Sequence, residues 1–223
     1  PAGVTLWSSE LTIYGHEVKP DQSSYLGIFL NCPYSEGIET DSDYAFWTYN
    51  GNEGCIMRCH FLKPDQPGIL RHQVGGIDKY PEITMAKLDK PGNIPSHLVK
   101  DQATNWLYIV DGGNKRILRM NTQTGTRSNN SSVNPIRQTT GVTWEVFASQ
   151  NLRKPCGIEL VGDILYVTDY ESGDIIAYNK NTKKELARVK TGKPGIMGIK
   201  ADNNGVLWFV NATTNEVVRL DPK

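Results

Sequence analysis

Aspartate and asparagine residues that end apolar runs are the parts of this sequence whose type and spacing could support chemistry. Asp111 and Asp169 each close a run of strand-forming residues, and Asn50 and Asn211 occupy the same place in two further runs. If these side chains converged, their oxygens could hold Ca²⁺, which takes six to eight oxygen ligands. A simpler explanation is local, because Asp and Asn at a strand end accept hydrogen bonds from the amides of the following turn. We favour the local explanation and keep calcium as the alternative.

His97 is the second candidate for metal binding. A zinc site takes three or four protein ligands, so His97 needs partners, and His60 and His72 could in principle supply them. However, neighbouring residues of an extended strand point to opposite faces, which makes the run from Cys55 to His60 a poor metal motif. We therefore retain His97 and the two aspartates as candidate ligands for zinc or calcium.

Several functional classes are excluded by composition. The chain has 24 basic and 24 acidic residues, so its net charge of zero gives no support for binding to nucleic acid or to an anionic membrane. It contains no apolar run of the length that a membrane-spanning helix needs. No nucleophile elbow, phosphate-binding loop or Ser-His-Asp arrangement occurs in it. No catalytic residue is predicted.

The four cysteines are compatible with either a reducing or an oxidising compartment. Cys55 and Cys59 lie on one predicted strand, about 13 Å apart when extended, which is too far for a disulfide between them. Cys32 is the more plausible partner for one of the two, and the pairing stays open. Cys156 belongs to a later segment and is predicted to be free or bonded outside this chain.

N-glycosylation sequons point to an extracellular or secreted protein. They begin at Asn129, Asn130 and Asn211, and the first two lie in a polar insert that is predicted to be a surface loop. Together with the even cysteine count they favour an oxidising compartment. The sequence begins at Pro1, which suggests a processed or trimmed product.

The candidate ligands are positioned by an internal repeat. The segment LYVTDYESGDIIAY, residues 165–178, aligns without gaps on residues 46–59, 107–120 and 207–220. Every copy has an aromatic residue second, Asn or Asp fifth and a β-branched residue six positions later, and three copies then carry Arg58, Arg119 or Arg219. This pattern predicts a strand, a tight turn and a second strand, repeated four times.

Further strands extend each copy to four. An apolar segment precedes each Asn or Asp by 12 to 14 residues and begins at Gly37, His97, Gly157 or Gly198. Fourth strands are predicted at residues 68–74, 144–148 and 185–189, whereas the last copy has none. Residues 1–36 form a degenerate copy, with a strand at residues 25–30. Two inserts, residues 66–92 and 122–143, are predicted to leave the body, and the second to be mobile or glycosylated.

Four-stranded antiparallel units of this length, repeated around an axis, are typical of a β-propeller. We therefore predict an all-β fold and one propeller domain, residues 1–223, with about five readable blades. The blades span approximately residues 1–36, 37–94, 95–154, 155–193 and 194–223, and the last is incomplete. A β-sandwich would explain short strands but not the equal spacing of successive copies.

The repeat resembles the NHL type of six-bladed propellers. The resemblance is carried by VDGGNKRILRMNTQTG, residues 110–125, and VTDYESGDIIAYN, residues 167–179, and it covers about residues 37–223. Such propellers include binding scaffolds, gluconolactonase-like hydrolases and the peptidyl-hydroxyglycine amidating lyase. Five copies with an open last one depart from a complete six-bladed ring, which suggests part of a longer chain.

The resemblance implies two functional alternatives. The amidating lyase uses histidines at blade starts as zinc ligands, and His97 lies at such a start, although other copies have glycine there. A lactonase-like site would require a glutamate, and Glu36 or Glu39 is nearest in register. The favoured prediction is an extracellular binding or structural module of a larger assembly, with proteins or further copies of the chain as partners. The alternative is a metal-dependent lyase or lactonase-type hydrolase that uses the axial channel.

Overall fold

The computed structural model describes residues 5–7, 25–28, 32, 34–41, 44–61, 74–88, 94–129, 136–202 and 205–221. These residues form nineteen β-strands, numbered β1 to β19 in chain order. Within these ranges no helix has the length and apolar character that crossing a membrane requires. Most of the strands belong to four antiparallel sheets that follow one another along the chain, named here blades I to IV.

Each blade is a meander whose strands pair in chain order. Blade I contains β3 to β6, at Ser35–Thr40, Ala45–Asn50, Cys55–Phe61 and Val74–Tyr80. Blade II contains β7 to β9 and β12, at Leu98–Asp101, Trp106–Asp111, Arg116–Asn121 and Trp144–Ala148. Blade III contains β13 to β16, at Pro155–Val161, Ile164–Asp169, Asp174–Asn179 and Glu185–Lys190. Blade IV contains β17 to β19, at Ile196–Ala201, Leu207–Asn211 and Glu216–Leu220.

The predicted strand–turn–strand unit is confirmed in all four blades. The Asn or Asp that closes the second strand pairs in every blade with the first residue of the third strand, five positions later. The residue just before that third strand has a positive φ each time, at Gly54, Lys115, Gly173 and Asn215. One turn geometry therefore recurs whether or not glycine supplies it, which explains why the spacing is constant while the turn sequence varies.

Side chains alternate between the two faces of each blade and fill the space between blades. One apolar cluster joins blade I to blade II and includes Trp47, Ile56, Leu107 and Leu118. A second joins blades II and III, and a third joins blades III and IV. Blades II and III thus each present one face to the preceding blade and the other to the following blade, as strands with period-two alternation require.

The insert at residues 122–143 differs from its prediction. Its described part forms β10, Thr126–Arg127, and β11, Ile136–Thr140, which pair with each other. Strand β11 also runs parallel to β6 and adds a strand to blade I. We call residues 122–129 and 136–143 the arm. It does not leave the body, because it reaches back from blade II to the outer edge of the preceding blade.

The bounds of one predicted fourth strand need correction. The fourth strand of blade I is Val74–Tyr80, whereas the predicted residues 68–73 lie outside the described part of the chain. At the N-terminus, β1, Thr5–Trp7, pairs directly with β2, Tyr25–Ile28. Strand β2 lies within the predicted strand at residues 25–30, whose last two residues are outside the described part of the chain. The fourth strands of blades II and III agree with the prediction.

Candidate functional site

The aspartate and asparagine residues at the end of each second strand fix loops of the backbone. Asp169 is buried and accepts hydrogen bonds from the amides of Arg153, at 2.7 Å, and Lys154, at 3.0 Å. It also accepts one from Ser172 in the following turn, at 3.0 Å. The carboxylate therefore joins the loop that leads into blade III to the turn that leaves its second strand.

The same arrangement recurs in the neighbouring blades. Asp111 accepts from the amide of Ala86 in the loop that leads into blade II, at 3.2 Å, and forms an ion pair with Arg116, at 2.9 Å. Asn211 donates to the carbonyls of Lys193 and Pro194, at 3.3 and 3.0 Å. The sequence predicted the bond to the following turn and missed the bond to the incoming loop, which depends on how each blade folds back on itself.

His97 lies just before the first strand of blade II and is half-buried. Its backbone amide donates to the carbonyl of Cys156, at 3.1 Å, and so links blade II to the first strand of blade III. Burial lowers the pKa of the His97 imidazole, which favours its neutral form. Among the described residues, no three His, Cys, Asp or Glu side chains come together as a metal site would need. Metal binding at His97, Asp111 and Asp169 stays a prediction.

The first strands of the blades carry acidic side chains that join neighbouring blades. Glu36 accepts from the amide of Ser96, at 3.0 Å, and Glu39 accepts from the amide of Lys100, at 3.2 Å. Burial raises the pKa of Glu39, although the Lys100 amide opposes this. The two glutamates named for a lactonase-like site thus have structural contacts to blade II.

The cysteines are buried and carry free thiols in this structure. Cys32, Cys55 and Cys59 do share one apolar cluster, on the face of blade I that points away from blade II. Burial raises the pKa of Cys32 to about 11 and of Cys55 to about 12, so these thiols are protonated near neutral pH. The structure does not show the disulfide that the sequence suggests, but it places the candidate residues together.

The sequons differ in accessibility. Asn129 is exposed in the arm, and Asn130 lies outside the described residues. Asn211 is only 2% exposed, and its side-chain nitrogen already donates to two carbonyls. The folded blade therefore leaves the Asn211 amide inaccessible, and glycosylation at Asn129, Asn130 and Asn211 stays a prediction.

Blade IV exposes an apolar face whose accessibility has no signal in the sequence. Trp208 is 40% exposed, Val210 43% and Val217 69%. Val210 pairs with Val217 and Trp208 with Arg219, so the four side chains are neighbours on one side of the sheet. The Arg219 guanidinium lies over the Trp208 ring, 5.7 Å from its centre. We call these four residues the open face.

The open face is the counterpart of surfaces that are covered in the other blades. In blade I the same positions are Trp47, Tyr49 and Ile56, which are buried against blade II, and Arg58 lies over Trp47. In blade II they are Tyr108, Val110 and Ile117, buried against blade III. The opposite side of blade IV, with Leu207 and Phe209, is buried against blade III. Blade IV is therefore covered on one side and exposed on the other.

Comparison with known proteins supports the architecture. No protein-family model matches the sequence, and no curated protein sequence matches it. A streptogramin B lyase structure aligns with a TM-score of 0.53 and 11% identity, over 84% of this chain and 54% of that one. A computationally designed protein, Ika4, aligns with a TM-score of 0.50 and 10% identity, over 85% and 91% of the two chains. A nidogen/laminin complex gives a TM-score of 0.47 and 15% identity, over 87% and 79%.

The chain has a β-propeller fold. This confirms the prediction of an all-β, propeller-like fold. The chain spans about half the length of the streptogramin B lyase that it matches. At such low identity the likeness concerns the fold, and function must be argued from the surfaces of this propeller.

Proposed function

We propose that this propeller is a binding and structural module that joins other proteins in an extracellular assembly. The observation that carries the proposal is the open face of blade IV, where Trp208, Val210 and Val217 are exposed side by side. Contiguous exposed apolar residues on a folded protein mark interaction surfaces. Tryptophan and arginine, which stack here at 5.7 Å, are also the residue types enriched at the centres of protein interfaces.

An enzymatic function remains the second candidate, and His97 is the observation that favours it. His97 replaces the glycine found at this position in blades I, III and IV, and its neutral imidazole could act as a metal ligand. The neighbouring carboxylates work against this function, because Asp111 and Asp169 are engaged by backbone amides of their own blades. The two functions therefore differ in whether the purified protein retains a metal.

Metal analysis of the purified chain tests the proposal directly. For a binding module we expect substoichiometric zinc and calcium after extensive dialysis, and no change of either value in a His97→Gln variant. Asp169→Asn is a less suitable probe, because loss of its two loop contacts would also destabilise blade III. One tightly held ion per chain that His97→Gln removes would overturn the binding module and support the enzyme.

The proposed extracellular location is tested by mapping glycans and disulfides on the protein. We expect secreted protein to carry a glycan at Asn129, which is exposed, and none at Asn211, which is buried. We also expect peptide mapping to find Cys32 bonded to Cys55 or Cys59, since the three share one cluster. Unmodified Asn129 and three free thiols in protein recovered from the native source would contradict an extracellular site.

A further inference from the structure

We propose that the arm is a pH-sensitive switch on the outer edge of blade I, and that His60 of β5 is the group that senses the pH. The arm stays closed on β6 while the His60 imidazole is neutral, and it opens when that ring takes up a proton. The switch is independent of the proposed function, because it lies at blade I and not at the open face of blade IV.

A hydrogen bond between His60 and Arg137 fixes the state of the imidazole. The Arg137 Nη2 atom of β11 lies 2.7 Å from His60 Nε2. A guanidinium is always charged and has donors only, so the imidazole nitrogen must accept. His60 is therefore neutral in the closed arm, with its proton on Nδ1. Protonation removes the acceptor and places a second cation against Arg137.

A glycine opposite His60 provides the space for this contact. His60 is paired with Gly76 in the register of β5 and β6. A Cβ at Gly76 would lie 2.7 Å from His60 Nε2 and 3.5 Å from Arg137 Nη2. The imidazole and the guanidinium thus meet above a residue of β6 that has no side chain, which lets the arm contact β5 across the strand between them.

The groups around His60 oppose a proton on its ring. Burial is the largest influence and lowers the pKa of His60. Three arginines, one on each of β5, β10 and β11, lower this pKa as well: Arg58, Arg127 and Arg137. Asp78 on β6 acts in the opposite direction, but it already pairs with Arg127 at 3.0 Å and with Arg137 at 2.9 Å. A protonated His60 would add a further cation to a carboxylate that is shared.

The direction of the pH effect follows from proton linkage. In the open arm the imidazole returns to water, where a histidine titrates near pH 6.5. The closed arm holds the pKa of His60 below that value, so at lower pH the open arm binds more protons than the closed one. The closed arm is therefore most stable above pH 6.5 and loses stability as the pH falls below it. Because one proton is involved, the equilibrium shifts by at most about tenfold between pH 7.5 and 5.5.

Hydrogen exchange of the whole chain at these two pH values measures the switch. Opening breaks the parallel pairing of β11 with β6, so the β11 amides report it. Their protection factors, which are corrected for the intrinsic effect of pH on exchange, are compared with those of β14 in blade III. We expect the ratio of β11 to β14 protection to fall several-fold at pH 5.5, with about tenfold as the limit. Imidazole ¹⁵N NMR at pH 7.5 should place the His60 proton on Nδ1.

Three variants separate His60 from other causes. His60→Gln keeps a neutral acceptor for Arg137 at every pH, so it should preserve β11 protection at pH 7.5 and remove the loss in acid. His97→Gln is the matched control, because it removes another half-buried histidine, and it should leave the acid response of the arm unchanged. Gly76→Ala displaces the imidazole and should lower β11 protection already at pH 7.5.

A wild-type ratio of β11 to β14 protection that is equal at both pH values overturns the switch. An acid response that persists in His60→Gln also overturns it, since other groups then sense the pH. A His60 proton found on Nε2 at pH 7.5 contradicts the hydrogen bond on which the switch depends. The wild-type exchange ratio and NMR spectrum decide the question even where a variant does not fold.

Discussion

Blades II and IV contain the same repeat, yet they differ in what surrounds them. Both have the same strand register, a left-handed residue at the same turn position (Lys115 and Asn215) and an arginine beside an aromatic ring. Blade II is buried on both faces, against blade I and against blade III, whereas blade IV is buried on one face alone. The repeat thus encodes two apolar faces in every copy, and the neighbouring blade decides whether each face stabilises the fold.

Two tryptophans at one repeat position should give the largest difference in stability between a covered and an open blade face. Trp47 is 1% exposed and packs against blade II, and Trp208 is 40% exposed. Trp47→Ala should lower the free energy of unfolding by about 3–5 kcal/mol, because it leaves a large cavity between blades. Trp208→Ala should lower it by about 1 kcal/mol, because much of the ring already contacts water. Urea unfolding of the two variants measures the difference, and equal losses would mean that blade IV is covered in solution.

A second contrast concerns the outer edges of the blades. Asp78 on β6 is fully buried and pairs with Arg137 of the arm at 2.9 Å and with Arg127 at 3.0 Å. Asp78→Asn removes the charge that holds both arginines, so we expect a loss of about 3 kcal/mol, at the low end for a buried ion pair because Arg127 is half exposed. Hydrogen exchange should show the arm amides opening.

The matched control is Glu216→Gln in blade IV, which breaks an exposed pair with Lys193 at 2.9 Å. Exposed pairs contribute little to stability, so the control should leave the urea midpoint unchanged. Protection of β11 amides that persists in Asp78→Asn would show that strand pairing alone holds the arm.

Glycines at the starts of the first strands provide a smaller effect of the same kind. Gly157→Ala places a methyl group 2.3 Å from a backbone carbonyl of blade IV and should cost about 1–3 kcal/mol, as overpacking does. Gly198→Ala meets its nearest described neighbour at 3.4 Å, an ordinary contact, and should be nearly neutral. Thermal unfolding of the two variants measures both losses of stability. A large loss for Gly198→Ala and none for Gly157→Ala would contradict the expected order.

Acid should weaken blades I and II more than blade IV, with the smallest effect of the series. Burial lowers the pKa of His60 in blade I and of His97 beside blade II, and blade IV contains no histidine. Because the unfolded chain takes up these protons near pH 6.5 and the folded chain only at lower pH, stability is highest above pH 6.5 and falls as the pH decreases below it. His97→Gln should flatten urea midpoints measured between pH 7.5 and 5.5. An unchanged slope would indicate that His97 titrates freely.

The repeat positions could be predicted from the sequence because they depend on local geometry. The turn from Asp169 to Asp174 requires a fixed number of residues, and the aromatic and β-branched positions follow from the pleat. The sequence also identified the fourth strands of blades II and III. The position of the arm could not be predicted from the sequence, because the parallel pairing of β11 with β6 joins residues about sixty positions apart and has no local signal.

The candidate site was harder to predict for the same reason. Trp208 and Trp47 are equivalent in the alignment, and their difference in exposure depends on the presence of a neighbouring blade. The sequence predicts that Asp111 and Asp169 bond the turn that follows them. It does not predict their bonds to the incoming loops, which depend on the folded chain. His97 stands out in the alignment, but the sequence cannot show which groups surround it.

The arm also constrains the order in which the molecule can be assembled. Blade I receives its fifth strand from residues 136–140, which are synthesised only after the first three strands of blade II. During translation the outer edge of β6 is therefore left without this partner until most of the next blade has emerged. We therefore expect blades I and II to fold as a single cooperative unit, and a fragment ended between them to lose stability on both sides of the cut.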